Sequence, residues 1–273
     1  MANTMTSDGR GSRVHQLAAA TDLARRLKNA LRMPVPVFKL LNGAKEEFEC
    51  PICGYGGPFR DYESAGAPRK HARCPKCGAL ERHRLQHLVL MDVLKGLDSR
   101  HTRVLHFAPE TSLKLILSRR FQQYETADLS MKAVDHRTDI QHLPFHNETY
   151  DFIFASHVLE HIPDDVKAIH EIRRVLRPNG IAILPVPVVC TKTIEYLEAN
   201  PREEGHVRAP GLDYFAKYER CFRRVEIHSS GSFPAKHQLF VYEDRSVWPT
   251  RDWPLRPAML GEKHLEYVPV CYA

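Results

Sequence analysis

Apolar and polar positions fall into alternating blocks over the middle of the chain. Residues 150–155 (YDFIFA) form an apolar run that predicts a buried strand. The polar pair Ser156-His157 follows, and residues 164–176, rich in acids and bases, predict a helix. Pro178-Asn179-Gly180 ends that helix, and residues 181–186 predict a second apolar strand. Strand, helix and strand with short joints make a parallel βαβ unit. Residues 102–107 (TRVLHF) and 124–128 (YETAD) predict further strands, and residues 85–94 a helix that Gly96 closes. Two alternating runs, 222–228 and 237–243, flank Ser229-Ser230-Gly231-Ser232 and predict an antiparallel hairpin at the sheet edge. Such sheets bind ligands at the carboxyl ends of their strands, where Ser156, His157, Glu160 and His161 fall.

Cysteine spacing adds a second module. Cys50-Pro-Ile-Cys53-Gly and Cys74-Pro-Lys-Cys77-Gly are two C-x2-C turns with twenty residues between them. Two residues between cysteines let one turn aim both thiolates at one ion, and the following glycine suits such a knuckle. Four sulfurs predict a closed tetrahedral zinc site, structural because no position stays open. Cys190, Cys221 and Cys271 stand alone and read as small core residues.

The central segment resembles the class I S-adenosylmethionine-dependent methyltransferases. That family repeats "D-x-I/V-x-x-x-H-V-L-E-H-I/V" and "R-V-L-R-P-x-G", which stand here as Asp151 to Ile162 and Arg174 to Gly180. The resemblance spans about residues 102–187 and implies a Rossmann-like, doubly wound α/β sheet of seven strands with an antiparallel edge strand, beside the small zinc ribbon. It implies S-adenosylmethionine as cofactor, with Asp128 on the ribose hydroxyls and Leu129 beside it. It implies Asp139 on the adenine amino group and Ile140 on the ring face, with Ser156 and His157 shaping the floor of the site. One loop departs from the family: Ala108-Pro109-Glu110 replaces G-x-G-x-G, and His106 stands where the family has an acid. Glu110 then becomes the candidate partner for the cofactor's ammonium, with His106 and Ala108 lining the same end. The resemblance also makes Gly205-His206-Val207-Arg208 part of a lid over the acceptor. His157, His161 and His206 are candidate acid–base residues, and Arg208 a candidate bidentate grip on an acceptor carboxylate.

The sequence offers neither an N/D-P-P-Y/F motif nor a Pro-Cys nucleophile at the expected places, which favours O- or N-directed transfer to a small molecule. RNA or protein acceptors recognised by the ribbon, or a silent binding scaffold, are the alternatives. A net charge of +6 permits nucleic-acid binding without requiring it, and few aromatics interleave the ribbon's basic residues. No apolar run reaches the ~20 residues of a membrane span, and residues 1–11 have no signal-peptide character. A cytoplasmic protein is expected. Residues 14–32 predict an amphipathic helix docked on the body. The expected organisation is helix and linker 1–45, zinc ribbon 46–80, methyltransferase domain 81–245 and irregular tail 246–273.

Overall fold

The computed structural model describes residues 33–64, 67–188, 190–243 and 263–273. The helix expected over 14–32 lies outside the described residues. The chain divides into two compact units, Met1–Lys45 and Glu46–Ala273. In the first, helix α1 (Val35–Leu41) starts after Pro34, whose fixed φ suits a helix start. The ribbon and the sheet expected as separate domains share the second unit.

The main sheet has seven strands: β5 (Arg103–Phe107), β6 (Gln123–Asp128), β7 (His136–Arg137), β8 (Tyr150–Ala155), β9 (Leu176–Ile183), β12 (Arg224–Ser229) and β15 (Tyr267–Tyr272). Their order across the sheet is β12-β15-β9-β8-β5-β6-β7. Strands β7, β6, β5, β8 and β9 run parallel, and β15 is antiparallel to both β9 and β12. This is the Rossmann-like doubly wound arrangement.

Period-2 alternation in β5 and β8 sends side chains to two cores. Val104, Phe152 and Phe154 pack with Leu85, Val89 and Leu90 of α2 (Glu81–Val93) and Leu113 and Leu117 of α3 (Thr111–Arg120). Leu105, Phe107, Ile153 and Ala155 pack on the other face, with Ala168, Ile169, Ile172 and Val175 of α4 (Asp165–Val175). The α4 residues recur at helical spacing, and each buried aliphatic side chain contributes roughly 1.5–3 kcal/mol. Asp164 caps α4 by accepting from the Lys167 amide at 2.9 Å.

Two expectations are corrected at the C-terminal side. The run 237–243 does not form a hairpin with 222–228. Val241–Glu243 (β13) pairs instead with β4 (Ala67–Arg73) of the ribbon, in the order β14-β13-β4-β3 with β3 (Arg60–Ser64) and β14 (Lys263–His264). The partner of β12 is Tyr267–Tyr272, which lies in the segment expected to be irregular. An alternating apolar run marks a strand but does not name its neighbour. Two further hairpins complete the unit: β1 (Phe48–Glu49) with β2 (Gly56–Gly57), and β10 (Ile194–Asn200) with β11 (His206–Ala209). Helix α5 (Ala216–Glu219) follows them.

Candidate functional site

The four ribbon cysteines converge. Cys50 Sγ lies 3.6 Å from Cys77 Sγ, and Cys53 Sγ 3.7 Å from Cys74 Sγ. Zn–S bonds of about 2.3 Å in a tetrahedron require sulfurs about 3.8 Å apart, so the set fits a zinc ion. Both knuckles close in the same way. The Gly54 amide donates to the Cys50 carbonyl and the Gly78 amide to the Cys74 carbonyl, each at 2.9 Å. Both glycines have φ near +70° (67° and 78°), which a Cβ would strain. Like charges this close oppose full ionisation, and Cys77 is pushed up to about 12, whereas its neighbours hold the Cys74 thiol low. A divalent cation removes that conflict.

Arg84, fully buried, ties this centre to the sheet domain. Its Nη1 donates to the Ala72 and Ala79 carbonyls at 2.9 and 2.8 Å, and its Nε to the His237 carbonyl at 2.9 Å. Its guanidinium lies 4.5 Å from the Phe59 ring centroid. Glu81, also buried, pairs with Arg69 of β4 at 3.1 Å. A four-thiolate zinc centre would carry two negative charges, which the buried Arg84 beside the cysteines would offset.

At the carboxyl end of β5 the glycine-free loop takes a glycine-like course. Ala108 has φ +45°, the left-handed region that costs an L-residue about 1–2 kcal/mol. Its amide donates to the Ala127 carbonyl of β6 at 3.0 Å. Glu110 Oε1 faces Arg82 Nη2 at 3.2 Å and His83 Nε2 at 3.0 Å. His83 Nδ1 accepts from the Leu80 amide at 3.2 Å, so Nε2 carries the proton given to Glu110. Burial would raise the Glu110 pKa, but His83 and Arg82 outweigh it and bring it down to about 2. Oε2 of Glu110 has no hydrogen-bond partner. His106 is enclosed beneath the loop, with Nδ1 on the Tyr124 hydroxyl at 2.8 Å and its ring edge-on to Phe154. Burial pushes its pKa down to about 3, so it stays neutral.

Along β6 and beyond, Asp128 ends its strand and folds the next turn. Its Oδ1 accepts from the Ser130 and Met131 amides, both at 2.7 Å, and among the described residues Oδ2 stays unengaged. Leu129 is 63% exposed and Met131 40%, an unusual pair of open apolar side chains at a strand end. Asp139 Oδ1 accepts from the Gln141 amide at 2.9 Å, which holds its pKa low, and Ile140 beside it is buried.

At the end of β8, Ser156 is buried and accepts from Gln86 Nε2 of α2 at 2.9 Å. His157 has φ +52° and its amide donates to the Pro185 carbonyl at 2.9 Å. Its Nδ1 lies 3.3 Å from Oε1 of the fully buried Glu160. Burial raises the Glu160 pKa, and the His157 contact outweighs that, leaving it lowered. His161 meets His206 of β11 edge-on, ring centroids 4.7 Å apart. The sequence candidates His157, His161 and His206 therefore gather around one carboxylate.

Arg208 is a correction. Its Nη1 donates to the Leu159 and Ile162 carbonyls at 2.8 and 2.6 Å, and its Nη2 to the Pro163 carbonyl at 3.0 Å. Its Nε donates to Glu195 at 2.9 Å, with Asp165 Oδ2 at 3.3 Å. All three nitrogens are engaged and the side chain is 4% exposed, so no acceptor carboxylate reaches it. Sequence reasoning passed over Gln86, and read Arg82 only within a basic helix start that binds phosphate or a substrate carboxylate or else faces solvent. Arg82 and Gln86, four apart on α2, face the ends of β5 and β8. Their signal was the polar first turns of a helix that runs directly out of the ribbon.

Residues 101–184 match the model of the methyltransferase-domain family. That segment is similar to a methyltransferase domain. The matched segment contributes β5 to β9 and every strand end described above. Among solved structures, a protein of Bacillus halodurans assigned as a methyltransferase is 13% identical, with 68% of this chain and 96% of that chain covered, at TM-score 0.43. An S-adenosylmethionine-dependent methyltransferase of Thermotoga maritima is 15% identical, with 70% and 90% covered, at 0.41. Phosphoethanolamine N-methyltransferase 2 of Haemonchus contortus is 16% identical, with 53% and 38% covered, at 0.42. Among the described residues, no helix is long and apolar enough to cross a membrane.

Proposed function

We propose that the chain transfers a methyl group from S-adenosylmethionine to an oxygen or nitrogen of a small-molecule acceptor, with a structural zinc ion on the ribbon. The observation that carries this reading is Asp128, with a carboxylate oxygen unengaged among the described residues at the end of β6 inside the matched segment, beside the exposed Leu129. A carboxylate there accepts both ribose hydroxyl protons, and Leu129, Met131, Ile140 and Asp139 suit a purine. Glu110, whose buried Oε2 lacks a hydrogen-bond partner, is the carboxylate for the ammonium of the amino-acid end, with its partner Arg82 beside it. The left-handed Ala108 keeps the backbone course that a glycine would give this loop. His106 supports the loop from inside the sheet rather than touching the cofactor.

When bound, S-adenosylmethionine supplies a methyl group already activated on a sulfonium, so placement of the acceptor carries much of the rate. His157, held by Glu160, takes the proton of an acceptor that must lose one. Within 69–84, Arg69, Arg82 and Arg84 make internal pairs or bonds, so these three are not offered to nucleic acid. A reduced thiolate centre suits the cytoplasm.

Calorimetric titration with S-adenosylmethionine tests the reading. The Asp128→Ala variant is expected to bind about 2 kcal/mol more weakly, some thirtyfold, the scale of a charge-assisted hydrogen bond. Equal affinity in variant and parent would overturn the assignment of Asp128, and absence of binding in the parent would favour a silent scaffold.

A further inference from the structure

Beyond the cysteine centre, one other group of side chains in the described residues has metal-ligand geometry. Ligand atoms of Glu160, His161 and His206 all lie within 4.8 Å of one another. Glu160 and His161 sit on the 3-10 turn Leu159–His161 that follows β8, and His206 opens β11. Nearly fifty residues apart in sequence, they are brought together by one device. On β11, His206 and Arg208 are two apart, and strand side chains repeat in direction every second residue. Arg208 grips the Leu159, Ile162 and Pro163 carbonyls, and so draws the turn carrying Glu160 and His161 against the strand carrying His206.

Glu160 makes this cluster hard to explain as packing. It is fully buried, and among the described residues neither carboxylate oxygen meets a donor at full hydrogen-bond geometry. His157 Nδ1 stands 3.3 Å from Oε1. Burying a carboxylate without donors costs several kcal/mol, and native proteins pair such groups or place them on a metal. Two imidazoles and one carboxylate form the donor set that divalent first-row transition ions take with open positions left. The cysteine centre has no open position, so the two sites differ in kind.

We propose that Glu160, His161 and His206 bind a divalent transition-metal ion, distinct from the zinc of the ribbon. The site lies at the carboxyl end of β8, on the side where the acceptor is placed. If the methyl-transfer reading holds, its open positions suit an acceptor that offers an oxygen ligand, such as a hydroxyl or carboxylate. The metal site itself does not depend on that reading.

Metal content decides the matter without any activity. The full chain is stripped with a chelator too weak to empty four thiolates, reloaded with Co2+ or Zn2+, freed of excess ion and analysed for metal. Two ions per chain are expected in the parent, and one in both Glu160→Gln and His206→Ala. With the ribbon zinc left in place, the cobalt form should show weak visible bands without thiolate charge transfer, and both variants should lose them. One retained zinc per chain certifies a folded ribbon, and His206→Ala serves if Glu160→Gln does not fold. One ion per chain in the parent would overturn the proposal, as would two in both variants. Two ions in a chain that binds no S-adenosylmethionine would count against the methyl-transfer reading and leave the metal site standing.

Discussion

His106 shows how one residue can be placed correctly and read wrongly. It stands at the family's acid position, yet it is fully buried and bonded to Tyr124. Because burial disfavours its charged form, its pKa falls from 6.5 to about 3. An unfolded histidine gains its proton near 6.5, so between these values the unfolded chain binds more protons than the folded one. Stability contributed by neutral His106 is therefore complete above about 6.5 and declines as pH falls toward 3. Urea unfolding at pH 7, 6 and 5 should show this decline, and His106→Leu should flatten it. An unchanged slope in the variant would assign the acid sensitivity to other groups. Ala108 and Glu110 share this scale: the first keeps a strained backbone, the second a buried carboxylate oxygen without a hydrogen-bond partner, at one strand end.

Among the elements, the turn after β8 and the hairpin β10–β11 depend on one guanidinium. Arg208→Met should destabilise the fold by about 3 kcal/mol or more, because three carbonyls lose their charged donor and the buried Asp165, which keeps Tyr214 and Lys217, loses one cationic neighbour. Arg208→Lys should recover only part of that, since a lysine is a point donor without the fork. Thermal unfolding checks both, and full stability with weaker acceptor binding alone would restore the binding role. Much at this scale was legible beforehand. The runs 102–107, 124–128 and 150–155 lie within a residue or two of β5, β6 and β8, because buried parallel strands read as continuous apolar segments. The doubled cysteine knuckle was legible because its ligands are local. Arg208, the β12–β15 pairing and the reach of Arg82 and Gln86 were not. Each depends on which distant backbone arrives beside it, and residue type alone does not carry that.

Taken whole, the unit from Glu46 onward is held by ties between ribbon and sheet: the buried Arg84, the Arg69–Glu81 pair and the pairing of β13 with β4. Zinc loss should therefore be felt beyond the ribbon. Cys74→Ser is expected to lose the ribbon metal and to lower the melting temperature of the whole unit in a single transition. A melting curve in which the sheet unfolds at its former temperature after the ribbon would show the two to be independent. The strand order has one more consequence, in time rather than space. During synthesis β9 and β12 emerge long before Tyr267–Tyr272, the strand that lies between them. Until that segment leaves the ribosome, β9 offers an open apolar edge to any neighbouring chain. A nascent chain arrested before residue 267 should thus be the species that chaperones hold longest.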